Sequence, residues 1–92
     1  MPALSPQDSE SRVRTLAGWQ IESGELVKTF TFRNFLSSID FVNQVAKYAE
    51  GASHHPDIDI RYNKVRIALM THDAGGLTEK DFDLAREIEK LA

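Results

Sequence analysis

The residues of this 92-residue chain best suited to chemistry are its three histidines and the carboxylates near them. His54 and His55 stand side by side before Pro56 in the stretch GASHHPDIDIRY, with Glu50 one helical turn upstream. His72 comes later, in THDAGGLTEKD, which also holds Asp81. An imidazole titrates near neutral pH, so one histidine can give a proton while another accepts one under the same conditions. Two histidines with a carboxylate to orient them make a complete acid–base pair.

Other chemistries fit less well. Adjacent residues in an extended segment point in opposite directions, so His54 and His55 do not chelate one ion, and neither an i,i+4 helical pair nor an HxH pair is present. No metal site is expected. Ser53 beside His54 lacks a nucleophile elbow and a separate orienting acid, and reads as a turn residue. Gly75-Gly76 precedes a helix start, but without the lysine and hydroxyl of a phosphate loop it reads as a tight strand-to-helix connection. On residue chemistry alone, proton transfer stands beside a plainer account in which the histidines are solvated turn residues, favoured where they lie just past a helix C-terminus.

The elements that must position these side chains follow from periodicity. Val13, Leu16 and Ala17 suggest a short helix from about Ser9 to Ala17, ended by Gly18. WQIESGELVKTFTF alternates as a β-hairpin turning at Ser23-Gly24. Asn34 caps a long helix in which Phe35, Ile39, Val42, Val45/Ala46 and Ala49 form the buried face, with Gly51 as its stop. Phe41 and Tyr48 lie on its other side, which fits either a wider core contact or a helix–helix contact between subunits. Ile58, Ile60 and Tyr62, then Val65, Ile67 and Leu69, alternate as a second hairpin joined at Asn63-Lys64. Thr78 and Asp81 approximate a capping box before a terminal helix carrying Phe82, Leu84, Ala85, Ile88 and Leu91. The order α-β-β-α-β-β-α predicts an α+β fold, a four-stranded antiparallel sheet with three helices packed on one face.

Composition narrows the function. Ninety-two residues make a single domain, 1–92, with residues 1–8 expected as a flexible arm, so an active site has to use most of the fold. With no cysteine, thiolate, disulfide and cluster chemistry are absent, leaving oxygen and imidazole. A net charge of −3 without a Lys/Arg run argues against direct nucleic-acid binding. No stretch approaches the roughly 20 apolar residues of a membrane span and no leader pattern opens the chain, so no membrane role and a cytoplasmic location are expected.

Glu50, His54-His55-Pro56, Tyr62, His72 and Asp81, at these spacings, resemble the signature of the pterin-4a-carbinolamine dehydratases. The likeness extends upstream through Trp19, FTFRNF and VAKYAE, most of the chain. It implies dehydration of a 4a-hydroxytetrahydropterin to quinonoid dihydropterin and water, a hydro-lyase reaction in tetrahydrobiopterin recycling, with no bound cofactor or metal. By position, His54 and His72 would be the main acid–base residues, and His55 would help hold the pterin and assist. Glu50 would orient an imidazole or the substrate, and Asp81 would brace the loop carrying His72 or serve only as the helix cap. Trp19 would offer an aromatic wall to the pterin, although a lone tryptophan equally suits the core, and Pro56 and Tyr62 would set turn geometry and packing. The resemblance also implies a homodimer or homotetramer. Some members act as dimerisation partners of a transcription factor, an alternative, non-catalytic role that here would use the Phe41–Tyr48 side.

Overall fold

The computed structural model describes residues 2–92, and the chain runs α1 Pro6–Val13, β1 Gln20–Glu22, β2 Glu25–Thr31, α2 Phe35–Ala52, β3 Asp57–Arg61, β4 Lys64–Leu69 and α3 Glu79–Leu91. A single 3-10 turn, His72–Ala74, lies between β4 and α3. The expected α+β order is the observed one, with all four strands antiparallel in the order β1-β2-β4-β3.

Helix α1 begins three residues earlier than the periodicity suggests. Ser5 caps it by accepting a hydrogen bond from the Asp8 N–H at 3.1 Å, and Pro6 occupies the first turn, where a missing N–H costs nothing. The helix also ends sooner, at Val13, and successive tight turns carry the chain to Gly18, whose φ of +84° favours glycine. Leu4 anchors the chain before the helix by donating its N–H to the Leu77 carbonyl at 2.7 Å.

Both hairpins turn through two residues. Ser23 and Gly24 have positive φ, the backbone twist that suits a right-handed strand pair, and Glu22 pairs with Glu25 across them. The second turn is Tyr62-Asn63, one residue before the expected Asn63-Lys64. Asn63 explains the shift: its carbonyl accepts from the Phe32 N–H at 2.8 Å and its side-chain amide donates to the Phe32 carbonyl at 3.0 Å, so it is held to the chain leaving β2.

The sheet sorts its residues by face. Ile21, Leu26, Phe30, Ile58, Ile60, Val65, Ile67 and Leu69 share one face, on which the helices pack, while Gln20, Thr29, Thr31, Arg66, Asp57 and Asp59 share the other. Helix α2 buries Val45 and Ala49 as expected, but its buried stripe runs on through Phe41 and Ser38, whereas Phe35 is 47% exposed. Phe41, only 2% exposed, stacks at 4.9 Å from both Phe30 and Phe32. It is therefore core and not available to a partner, a correction to the Phe41–Tyr48 surface. Two apolar stripes lie next to each other on α2, and the one that carries Phe41 meets the rings of Phe30 and Phe32. Ser38 is tolerated inside because its hydroxyl donates to the Asn34 carbonyl at 3.1 Å. Among the described residues no helix is long and apolar enough to cross a membrane.

Candidate active site

The end of α2 aims the first two histidines. Ser53 adopts the left-handed conformation at φ +53°, its N–H bonds to the Glu50 carbonyl, and the His54 N–H reaches back to the Ala49 carbonyl at 3.1 Å. This paired closure of a helix terminus usually employs glycine, so Ser53 holds a conformation that L residues seldom adopt. Pro56 then restrains His55 to extended backbone, and the two imidazoles leave the chain on opposite sides.

His54 turns inward. Its Nε2 lies 2.6 Å from Oδ1 of Asp81, whose side chain is fully buried, while the imidazole itself remains 12% exposed. Asp81 is the third residue of α3, and its Oδ2 accepts the Thr78 N–H at 2.9 Å and the Thr71 hydroxyl at 2.9 Å. A carboxylate only accepts, so a hydrogen bond to it requires a proton on His54 Nε2. In the neutral ring that leaves the lone pair on Nδ1. Nδ1 has no protein partner, and no buried side-chain nitrogen or oxygen lacks one among the described residues, so solvent reaches Nδ1.

His55 turns outward and pairs with Glu50, Nε2 to Oε1 at 2.7 Å, with both side chains mostly in water. Such a pair contributes about 0–1 kcal/mol and is weakened by salt. His72 opens the 3-10 turn after β4, exposed and without a side-chain hydrogen bond among the described residues. The turn is fixed by its backbone, Gly75 N–H to the His72 carbonyl at 3.0 Å, and by bridging of Thr71 to Gly76.

These segments meet in one groove of about 210 Å³ lined by all three histidines together with Ser53, Met70, Thr71, Asp73 and Lys80. A second hollow of about 190 Å³, between Tyr48, Ala52, Asp83 and Leu84, shares His54 and Lys80 with it. The His54–Lys80 pair thus forms a wall between a polar groove and a more apolar one. No three His, Cys, Asp or Glu side chains among the described residues converge as a metal site.

The remaining expected residues fall elsewhere. Trp19 is core: its ring meets Phe30 edge-on at 5.9 Å and its Nε1 donates to Glu89 at 2.8 Å. Glu89, which also pairs with Lys28, sits about 12 Å along α3 from Asp81, so Trp19 does not wall the groove. Tyr62, 66% exposed, lies at the opposite end of β4 from His72, roughly 20 Å of strand away. It sets a turn at φ +55° and packs against little. Asp81 bonds to His54 directly as well as to Thr71 beside His72, and it completes the capping box with Thr78. Sequence reasoning passed over Thr71 and Lys80. Their signal was adjacency alone, each being next in the chain to a singled-out residue.

Comparison with known proteins converges on one family. The family model described as pterin 4 alpha carbinolamine dehydratase matches residues 2–91. The chain is 54% identical over 91 residues to a protein of Acidobacterium capsulatum provisionally named pterin-4-alpha-carbinolamine dehydratase, covering 99% of each chain. It is 51% identical to a protein of the same provisional name from Thermosynechococcus vestitus, covering 97% of this chain and 94% of that one. Among solved structures, the fold is similar to a transcriptional coactivator/pterin dehydratase from Brucella melitensis, with a TM-score of 0.94, 34% identity and 98% of each chain covered. A pterin dehydratase-like protein identified as a RuBisCO assembly factor of the alpha-carboxysome is similar at a TM-score of 0.67, with 25% identity, 80% of this chain and 86% of that one.

Proposed function

The chain belongs to the pterin 4 alpha carbinolamine dehydratase family, a family of hydro-lyases, and from that premise we propose that the histidine groove removes water from a 4a-hydroxytetrahydropterin. The observation that carries this reading is the carboxylate-held His54 in a groove shared with His72 and His55.

The reaction needs two proton transfers and no covalent intermediate. The C4a–O bond breaks, the departing hydroxyl takes a proton to become water, and the N5–H bond electrons form the C4a=N5 double bond as a base removes the N5 proton. The product is the quinonoid dihydropterin. His54, with Nε2–H committed to Asp81 and Nδ1 open, is built as the base. His72 is the acid, free of side-chain hydrogen bonds among the described residues and carried on a short turn in the same groove. The proton gained by one imidazole is lost by the other in each turnover, so water exchange between them resets the site. His55, tethered to Glu50, edges the pterin, with Pro56 fixing its backbone. Reduction of that product back to the tetrahydro form would make the reaction a step of tetrahydrobiopterin recycling, as the likeness to the family implies.

A dihydropterin, which keeps the ring and lacks the 4a-hydroxyl, tests the location. It is expected to shift the amide resonances of Ser53, Thr71 and Asp73 and to spare those of Trp19 and Tyr62. Shifts centred on the open face of the sheet would overturn the assignment.

A second reading, protein interaction, has its own observation. On α2, Phe35 and Leu36 are exposed, Leu36 by 72%, and half-buried Ile39 continues the line from Phe35, while Val42 beyond it packs against the core. This apolar surface is separate from the groove and suits a second copy of the chain or a transcription-factor partner. The neighbour described as a transcriptional coactivator supports that reading.

A further inference from the structure

Two buried hydroxyls, Thr71 in the wall of the groove and Thr78 behind it, have no part in the proton transfers just described. Thr71 is 7% exposed and Thr78 1%. Their Oγ1 atoms lie 2.7 Å apart, Thr71 Oγ1 is 2.9 Å from Asp81 Oδ2, and Thr78 Oγ1 accepts the Lys80 N–H at 3.3 Å.

Proton counting gives this chain a direction. Each hydroxyl owns one proton and the Asp81 carboxylate owns none. Thr71 must donate to Asp81 Oδ2, so its oxygen is the acceptor for the Thr78 hydroxyl. Oδ2 then receives two donors, the Thr71 O–H and the Thr78 N–H, while Oδ1 is left with His54 alone. Turning the carboxylate would break all of these bonds in a buried setting, where each unpaired group costs about 1–3 kcal/mol.

We propose that Thr71 is a positioning residue which, through the directed chain Thr78 to Thr71 to Asp81, fixes His54 in its Nε2–H tautomer and so decides which ring nitrogen meets the substrate. The inference deepens the dehydratase reading and rests on it for its catalytic consequence. Its structural consequence stands without any turnover. Thr71 belongs to this role because it joins both walls of the site: it precedes His72 in the chain and holds the acid that holds His54.

The test pairs Thr71→Val with Thr71→Ser. Valine keeps the shape and removes the hydroxyl, whereas serine restores it. In protein labelled with nitrogen-15 in histidine, at a pH where the ring is neutral, wild type is expected to show His54 as one tautomer, Nε2–H. Thr71→Val should show a mixture of both tautomers and lose about tenfold in kcat, part of the 10²–10⁴-fold a placed acid–base group supplies, with KM changed less than twofold. Thr71→Ser should restore both readouts. If Thr71→Val does not fold, Thr71→Ala, which needs no additional room, carries the same expectations. A single Nε2–H tautomer in the hydroxyl-free variant, or a serine variant as impaired as valine, would overturn the proposal. If wild type does not turn over the carbinolamine, the dehydratase reading fails, and the tautomer readout still decides what Thr71 does.

Discussion

At the scale of residues, the two histidine–carboxylate pairs look alike on paper and differ in environment. His54–Asp81 is backed by a fully buried acid that accepts three hydrogen bonds, from His54, Thr71 and Thr78, and His55–Glu50 stands in water. Asp81→Asn is expected to lower kcat by about 10²-fold, because an amide nitrogen facing Nε2 demands the opposite tautomer. Glu50→Gln should change kcat less than about threefold, since the exposed pair is worth about 0–1 kcal/mol. Steady-state kinetics on the two variants checks the contrast, and equal losses would contradict it. The histidine string was legible in sequence because its spacing is fixed by a helix end, a proline and a strand end. The partner of Asp81 was not, because the third position of a helix explains an aspartate by capping alone, and only the fold brings His54 to its free oxygen.

At the scale of elements, the hairpins and the terminal helix were legible because each has one apolar face, although the second turn fell one residue early, at Tyr62-Asn63. Helix α2 was legible at its Asn34 cap but not at its end, since Gly51 lies inside the helix, which runs to Ala52 and closes at Ser53, and it was partly misread in rotation. Its sequence carries two adjoining apolar stripes, and periodicity cannot say which one meets a sheet whose contribution is Phe30 and Phe32. The packing makes a direct prediction. Phe41→Ala should cost about 3–5 kcal/mol of unfolding free energy, as for other buried aromatic truncations, and Leu36→Ser should stay within about 0.5 kcal/mol in the monomer. Urea unfolding monitored by circular dichroism gives both values, and a mild Phe41 variant would show that the stripe is assigned wrongly. Helix α1 was misplaced by three residues because its first turn is polar, so the cap at Ser5 and the proline after it were the only signals.

At the scale of the whole molecule, the groove exists because three distant segments close on one corner: the end of α2, the turn after β4 and the first turn of α3. Leu4 bound to Leu77 and Arg12 paired with Glu79 at 2.7 Å tie the N-terminal segment to that same corner. The apolar line lies near the start of α2, whereas the groove takes up its other end, which leaves room for assembly without blocking the site. Light scattering should therefore return a multiple of 10.4 kDa, and Leu36→Asp should reduce it. A wild-type species at 10.4 kDa would remove the assembly proposal.

Catalysis by the groove is measurable in the decay of freshly generated 4a-hydroxytetrahydropterin, followed by ultraviolet absorbance, because spontaneous dehydration supplies the baseline. The wild-type chain is predicted to accelerate the decay, with His54→Ala and His72→Ala each reducing the acceleration about 10²-fold or more. Folded wild-type protein that leaves the decay at its spontaneous rate, or histidine variants that match wild type, would rule out catalysis by the groove.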